Sequence, residues 1–160
     1  MEQKCIEFVV GELLCKENLT ISTTESCTGG MVAAKLISYP GISKVYLEGA
    51  ITYSNEAKVK RLGVKQETLD KYGAVSEQTA REMVEGRRSV SGSKVGIATT
   101  GIAGPDGGTK EKPVGLVYIG ICIEGKTLIE KCMFNGNRDE IRIATTNYSL
   151  KMLYDELIKK

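Results

Sequence analysis

The strongest candidate for chemistry in this 160-residue chain is the segment Ser26-Cys27-Thr28, which precedes Gly29 and Gly30 at a predicted helix start. Unpaired backbone N–H groups and the positive end of a helix dipole meet at such a position, where they can stabilise a phosphate or a developing oxyanion. Ser26 is the candidate nucleophile, although a serine at this place more often caps the helix. Cys27 is the alternative nucleophile, and it would need a thiol pKa lowered by the helix end or by a lysine.

The base that activates such a nucleophile has to be something other than histidine, because the chain contains none. Ser-His-Asp and Cys-His systems are therefore excluded, as is zinc bound by histidines. A lysine whose pKa is lowered by burial can take this role, and Lys58 is the candidate, in a polar segment that also contains Tyr53. Spacing alone does not separate Lys58 from Lys60 and Arg61. The alternative interpretation is that Lys58 is a solvated charge, which is the usual state of a lone lysine on a short helix.

A third polar segment starts at Thr99 and Thr100 and continues into a glycine-rich loop over residues 101–115. A loop of this length in a compact domain is often functional. It includes Gly101 and Gly104, but it matches neither the G-x-x-x-x-G-K-[ST] nor the G-x-G-x-x-G pattern. The loop alone is therefore a weak indication of phosphate binding.

Two arginines, Arg138 and Arg142, follow Asn137 in the first turns of the last predicted helix. Cations at this end of a helix oppose its dipole. A bound anion would account for them, and ion pairs on the surface are the alternative.

The elements that position these residues follow from apolar periodicity and turn signals. The pattern predicts strands at 19–24, 45–53, 95–100, 116–123 and 127–134, and helices at 2–16, 31–37, 55–63 and 65–72 and after Ser76 and Asn137. The element order is αβαβαααβββα, which predicts an α/β sandwich with a mainly parallel sheet and at least one antiparallel strand. The three polar segments follow the first three strands, and a mainly parallel sheet would bring them to one edge.

Composition limits the kind of protein that this can be. Apolar residues make up 41% and charged residues 26%, which is ordinary for one soluble globular domain. The net charge is +2 without basic clusters, and no apolar run is long enough to span a membrane, so neither nucleic acid nor membrane is an expected partner. The five cysteines include no C-x-x-C pair, which predicts reduced thiols in the cytoplasm, with Cys122 and Cys132 in the core.

Six motifs together resemble the C-terminal domain of the CinA (competence/damage-inducible) family. They are ESCTGG at 25–30, TYSNEAK at 52–58, GAVSE at 73–77, GIAGPDGG at 101–108, EKPVG at 111–115 and FNGNRDEIR at 134–142. The resemblance covers the whole chain as a single domain, residues 1–160. It implies a three-layer α/β/α sandwich with a five-stranded mixed sheet.

The resemblance also implies an activity, that of the stand-alone PncC-type amidohydrolases. These deamidate nicotinamide mononucleotide to nicotinate mononucleotide and ammonia, in pyridine-nucleotide salvage. The catalytic positions of the family fall on Ser26, Tyr53 and Lys58. The expected substrate contacts are Cys27, Thr28, Gly29, Thr100 (with Thr99 possible), Gly101, Gly104, Arg138 and Arg142.

The implied mechanism uses neutral Lys58, directly or through Tyr53, to take the proton of Ser26. Backbone N–H groups after the nucleophile, or those at 100–101, would hold the oxyanion, and the loop amides with Arg138 would hold the substrate phosphate. No metal or cofactor is required. The expected partners are the small nucleotide substrate and further copies of the chain in a homo-oligomer. The competing function is a nucleotide-binding or sensor module that holds the same ligand without reacting.

Overall fold

In the computed structural model, which describes residues 4–159, the predicted strands form one sheet. In chain order they are β1 (Ile21–Glu25), β2 (Tyr46–Ile51), β3 (Val95–Gly101), β4 (Leu116–Ile123) and β5 (Lys126–Met133). The sheet order is β2-β1-β3-β4-β5, with β1 parallel to β2 and β3 and with β4 antiparallel to β3 and β5. Four strands thus share one direction, which confirms the mixed, mainly parallel sheet, although the pairings divide equally between parallel and antiparallel.

Helices cover both faces of this sheet. They are α1 (Ile6–Lys16), α2 (Met31–Ile37), α3 (Asn55–Leu62), α4 (Gln66–Tyr72), α5 (Glu77–Ser91) and α6 (Arg138–Leu157). α1, α2 and α6 pack together on one face, while α5 covers the other face with α3 and α4 against it. The predicted three layers and element order are confirmed, and positions 2 and 3 of the predicted first helix lie outside the described residues. None of the helices within residues 4–159 combines the length and apolarity needed to cross a bilayer.

The central strand β3 shows how the sequence builds the two layers. Side chains alternate across a strand, so Val95 and Ile97 enter the core beneath α1 and α6, whereas Ala98 enters the smaller core beneath α5. The same burial accounts for Cys122 and Cys132, which lie in these two cores as predicted. Because β1 pairs in parallel with both β2 and β3, the carboxyl ends of these three strands meet at one edge of the sheet.

Side-chain caps begin the three helices that matter most for this edge. Ser54 accepts a hydrogen bond from the N–H of Ala57 at the start of α3, and Ser76 accepts one from Thr79 at the start of α5. The predicted capping residue Asn137 accepts the N–H of Glu140 at the start of α6. Each cap satisfies a helix donor that would otherwise lack a partner, and it fixes where the helix begins.

Candidate active site

Ser26 directly follows β1 at the carboxyl edge of the sheet. Its N–H donates to the carbonyl of Thr99 (3.0 Å), which extends the β1–β3 pairing by one residue. Its carbonyl accepts from the N–H of Gly29 (3.1 Å), which closes a β-turn over residues 26–29. Only 8% of Ser26 is exposed. The hydroxyl therefore occupies a defined, nearly buried position between a strand and a helix.

Lys58 is the side chain that reaches this hydroxyl. Its Nζ lies 3.3 Å from Oγ of Ser26, 2.8 Å from the carbonyl oxygen of Thr52 and 3.2 Å from that of Tyr53. The Ser54 cap places Lys58 in the first turn of α3, and side chains on a helix lean toward its N-terminus. The amine therefore points back at the residues that precede the helix.

Burial changes the acid-base behaviour of Lys58. The residue is 1% exposed, and burial lowers the pKa of its amine from 10.5 to about 8. No carboxylate among residues 4–159 lies within 4.0 Å of Nζ to stabilise the charged form. A neutral amine has two N–H groups for the two carbonyls and one lone pair, which is then free to accept the Ser26 O–H. This arrangement suits a base.

The competing side chains do not share this environment. Lys60 and Arg61 are exposed on the outer side of α3. Cys27 is buried, and burial raises the pKa of its thiol to about 12, so the thiol stays protonated at neutral pH. Because the thiolate is the nucleophilic form, the geometry favours Ser26 over Cys27.

The buried carboxylate of Glu25, whose role the sequence did not indicate, binds the end of the turn that leads into α2. Glu25, 1% exposed, accepts hydrogen bonds from the Thr28 hydroxyl (2.6 Å) and from the N–H groups of Val32 (2.8 Å) and Ala33 (3.1 Å). The Thr28 hydroxyl also lies 2.7 Å from that of Thr99. Because Thr28 donates to the carboxylate, Thr99 has to donate to Thr28. Glu25 stands six residues before α2, outside the capping-box spacing, so its position in the sequence did not indicate this role.

The start of α2 is therefore filled by the protein's own carboxylate. The first donors of α2 itself have protein partners, because Met31 donates to the Thr28 carbonyl and the next two donate to Glu25. The predicted anion contact at this helix start therefore stays a prediction for the N–H groups of the preceding turn. The N–H groups of Cys27 and Thr28 form no hydrogen bond with the backbone of another residue within residues 4–159. They are the donors that remain for an oxyanion in this turn.

Arg138 links the glycine-rich loop after β3 to the segment after β2. Its Nη1 donates to the carbonyl of Gly104 (2.8 Å) in the glycine-rich loop, and its Nη2 donates to the hydroxyl of Tyr53 (2.9 Å). Tyr53 thus offers its carbonyl to Lys58 and its phenol to Arg138. Lys58 contacts Ser26 directly, and the hydrogen bond found for the Tyr53 hydroxyl is the one from Arg138, so the alternative of a proton relay through Tyr53 stays a prediction.

Arg142, one helical turn further along α6, faces the Ser26 turn. Its Nε donates to the carbonyl of Cys27 (3.0 Å) and its Nη2 to that of Thr28 (3.2 Å). Its Nη1 lies 3.8 Å from a carboxylate oxygen of Asp139. Arg142 therefore holds the backbone of the Ser26 turn, and its predicted contact with the substrate stays a prediction.

The remaining predicted contacts lie around β3 and its loop. The Thr100 hydroxyl donates to the carbonyl of Ala74 (2.8 Å) and so ties the α4–α5 connection to the sheet. A side chain at Gly101 would approach Val117 to 2.6 Å, and one at Gly104 would approach Val114 to 2.5 Å. Both glycines therefore allow close packing of the loop. Within residues 4–159, no three side chains of His, Cys, Asp or Glu are grouped as a metal site would require.

Comparisons with known proteins agree with this architecture. The family model for the CinA C-terminal domain matches residues 3–157. A competence-damage inducible protein of Clostridium beijerinckii is 60% identical over 154 residues, and one of Clostridioides difficile is 57% identical over 157 residues. These matches cover 96% and 98% of this chain. The chain spans only 38% of the length of either relative.

Solved structures match along their whole length. A CinA superfamily protein of Klebsiella pneumoniae superposes with a TM-score of 0.93 at 31% identity, covering 97% of both chains. A competence/damage inducible protein of Agrobacterium tumefaciens superposes with a TM-score of 0.89 at 40% identity, covering 97% of this chain and 98% of that one. The likeness therefore extends over the sheet, both helical layers and the edge that carries Ser26.

Proposed function

This chain belongs to the CinA C-terminal domain family, and from that premise we propose that it is an amidohydrolase with Ser26 as nucleophile and Lys58 as base. The proposed substrate is nicotinamide mononucleotide, and the products are nicotinate mononucleotide and ammonia. The names of the similar proteins speak of competence and damage induction. The nucleotide substrate is the one that the family resemblance implies, and the contact between Ser26 and Lys58 supports the serine-based chemistry.

The observation that carries the proposal is the contact between Ser26 and Lys58. A serine hydroxyl is a weak nucleophile until a neighbouring base takes its proton. The 3.3 Å separation of Oγ and Nζ is within reach of that transfer. The lysine pKa of about 8 keeps a useful fraction of the amine neutral near pH 7.

The reaction then proceeds in two halves. Lys58 takes the proton of Ser26 as Oγ attacks the carboxamide carbon, and the same proton passes to the departing nitrogen as the C–N bond breaks and ammonia leaves. Water next attacks the acyl ester with Lys58 again as base, which releases the carboxylate and regenerates the hydroxyl. The positive pyridinium ring of the substrate lowers the pKa of Lys58 further and so favours the neutral base.

Charge on the substrate is held in two places. The N–H groups of Cys27 and Thr28 are the donors proposed for the oxyanion, since they lie next to the nucleophile and form no backbone hydrogen bond with another of the described residues. Arg138 is the proposed phosphate contact, assisted by amides of the loop at 101–115. An arriving phosphate would compete for the guanidinium against a carbonyl and a phenol, and ionised acceptors form the stronger hydrogen bonds.

The decisive test measures ammonia and nicotinate mononucleotide from the purified protein and nicotinamide mononucleotide. In water labelled with oxygen-18, one labelled oxygen is expected in the product carboxylate. Ser26→Ala is expected to abolish both products. Saturable binding of the nucleotide without ammonia would identify a binding module instead and would overturn the proposal.

A further inference from the structure

The peptide group between Cys27 and Thr28 is the central peptide of the β-turn at 26–29, and α6 holds it from one side. Arg142 donates from Nε to the Cys27 carbonyl at 3.0 Å and from Nη2 to the Thr28 carbonyl at 3.2 Å. Type I and type II turns differ by rotation of this central peptide. A guanidinium on two successive carbonyls therefore fixes the group of the turn that is otherwise easiest to rotate.

The N–H of the same peptide points away from Arg142. In a trans peptide the C=O and N–H bonds point in opposite directions, so the Thr28 N–H is directed opposite to the Cys27 carbonyl. Arg142 lies in the layer of α1, α2 and α6, whereas Lys58 lies on α3 in the other layer. The Thr28 N–H is thus directed away from α6, and Lys58 reaches Ser26 from the other helical layer.

Several other donors near the turn have protein partners. Glu25 accepts the N–H groups of Val32 and Ala33 at the start of α2, and the Gly29 N–H donates to the Ser26 carbonyl. Within the turn at 26–29, the donors available to an oxyanion on a carbonyl bound to Ser26 are accordingly the N–H groups of Thr28 and Cys27.

We propose that Arg142 is a positioning residue, which holds the Cys27–Thr28 peptide so that its N–H serves as an oxyanion donor. The inference rests on the proposed role of Ser26 as nucleophile. Arg142 acts through the turn and does not touch the substrate. Its neighbour on the same helix face, Arg138, has the separate task of binding phosphate.

This role predicts a loss of turnover without a loss of substrate binding. Removal of one oxyanion donor lowers kcat by about 10²–10³, so Arg142→Gln is expected to lower kcat about 100-fold, with KM within about twofold of wild type. Arg142→Lys keeps the charge, but one ammonium lacks the planar fork that spans two carbonyls. We expect it to restore part of the activity, to about tenfold below wild type.

The experiment measures kcat and KM for nicotinamide mononucleotide across pH. Lys151→Gln is the matched control, since it removes an equal charge from the exposed side of α6 and should match wild type. The pH at which kcat/KM levels off should stay unchanged in both Arg142 variants, because Lys58 is untouched. If Arg142→Gln does not fold, Arg142→Lys decides by the same division between kcat and KM.

Two outcomes would overturn the inference. One is a rise in KM of about tenfold or more at constant kcat, which would make Arg142 a substrate contact. The other is wild-type kcat in each variant that folds.

A fluorophosphonate probe separates this inference from the proposed substrate. The Ser26 oxygen forms the new bond to phosphorus, fluoride leaves and Lys58 takes the proton, and no nucleotide is involved. One combination of results separates the two proposals: wild-type Ser26 is labelled, the Arg142 variants are labelled more slowly, and no ammonia is released from nicotinamide mononucleotide. In that case the proposed substrate is wrong, whereas the proposed role of Arg142 is supported. If wild-type Ser26 is not labelled and no ammonia is released, the assignment of Ser26 as nucleophile and the role of Arg142 that rests on it are both overturned.

Discussion

Oγ of Ser26 lies 3.3 Å from Nζ of Lys58, and the lysine reaches it from a helix that begins with the cap at Ser54. The two residues are 32 positions apart in the chain, and parallel strands bring them together. The amine has two carbonyls for its N–H groups and no carboxylate partner within residues 4–159. This contact makes the proposed chemistry testable by small changes.

Replacement of Ser26 by alanine is expected to lower ammonia release by about 10⁴-fold or more while leaving the thermal unfolding midpoint close to that of wild type. The reason is that only a hydroxyl is lost. Cys27→Ala is the control, because a buried thiol with a pKa of about 12 takes no part in attack. Retained turnover in Ser26→Ala, with loss in Cys27→Ala, would reverse the assignment.

Replacement of Lys58 by methionine is expected to lower kcat by about 10²–10⁴-fold, which is the usual contribution of a general base. Methionine has a similar length and no proton to transfer. Lys60→Met, two residues along the same helix and exposed, should leave kcat unchanged. Equal effects of the two substitutions would show that charge on α3, and not the contact with Ser26, matters.

The pH dependence of turnover should report the neutral form of Lys58. With a pKa of about 8, kcat/KM is expected to rise about tenfold per pH unit below that value and to level off above it. The positive ring of the bound substrate should shift the midpoint of kcat to lower pH. A flat profile between pH 6 and about pH 8 would contradict a lysine base.

Stability gives an independent measure of the same pKa. The lysine pKa is about 8 in the folded protein and 10.5 ordinarily, so between these values the unfolded chain binds more protons and the free energy of unfolding rises with pH. Below that window both states are protonated and the penalty of burying the charge is complete. Urea unfolding at several pH values should show this rise in wild type and not in Lys58→Met.

Replacement of Arg138 by glutamine is expected to raise KM for nicotinamide mononucleotide by about 10–100-fold with little change in kcat, since a hydrogen bond to a charged group contributes about 1.5–3 kcal/mol. The same variant should not affect KM for nicotinamide riboside, which lacks phosphate. Tyr53→Phe removes a contact that orients Arg138 and should produce a smaller change in the same direction. An equal rise in KM for nicotinamide mononucleotide and nicotinamide riboside would show that Arg138 does not bind the substrate phosphate.

Replacement of Glu25 by glutamine is expected to reduce both stability and turnover. The carboxylate accepts three hydrogen bonds, and an amide would oppose a donor to at least one of them, at a cost of about 1–3 kcal/mol in the free energy of unfolding. Chemical denaturation and ammonia release measure the two effects. Thr99→Val, which removes only the outer hydroxyl of the network, should have the same effects to a smaller degree.

The layers, and the meeting of the segments that contain Ser26 and Lys58, were accessible from the sequence for a simple reason. Strand and helix periodicities differ, so their alternation specifies a largely parallel sheet, and such a sheet brings the segments after β1 and β2 to one edge. The absence of histidine then directed attention to lysine. Burial of Lys58 and exposure of Lys60 became clear only in three dimensions, because both are charged and lie on one short helix.

The directions in which individual side chains point could not be predicted from the spacing of residues along the sequence. The sequence offered no sign that Glu25 turns back to fill the start of α2, or that the phenol of Tyr53 contacts Arg138. The interior of α6 is a similar case, because Thr145 and Ser149 are buried there. Each hydroxyl donates to the carbonyl four residues earlier, at 2.7 Å, so a polar residue can occupy a core position without any partner from another element.

The two arginines of α6 also have a consequence for biosynthesis. Ser26 and Lys58 precede β3, whereas the side chains that hold the turn after Ser26 and link Tyr53 to the glycine-rich loop come from α6, which leaves the ribosome after all five strands. A nascent chain that has emerged only as far as β5 contains the reacting pair but lacks its restraints. The proposed hydrolysis should therefore begin only after α6 has been translated.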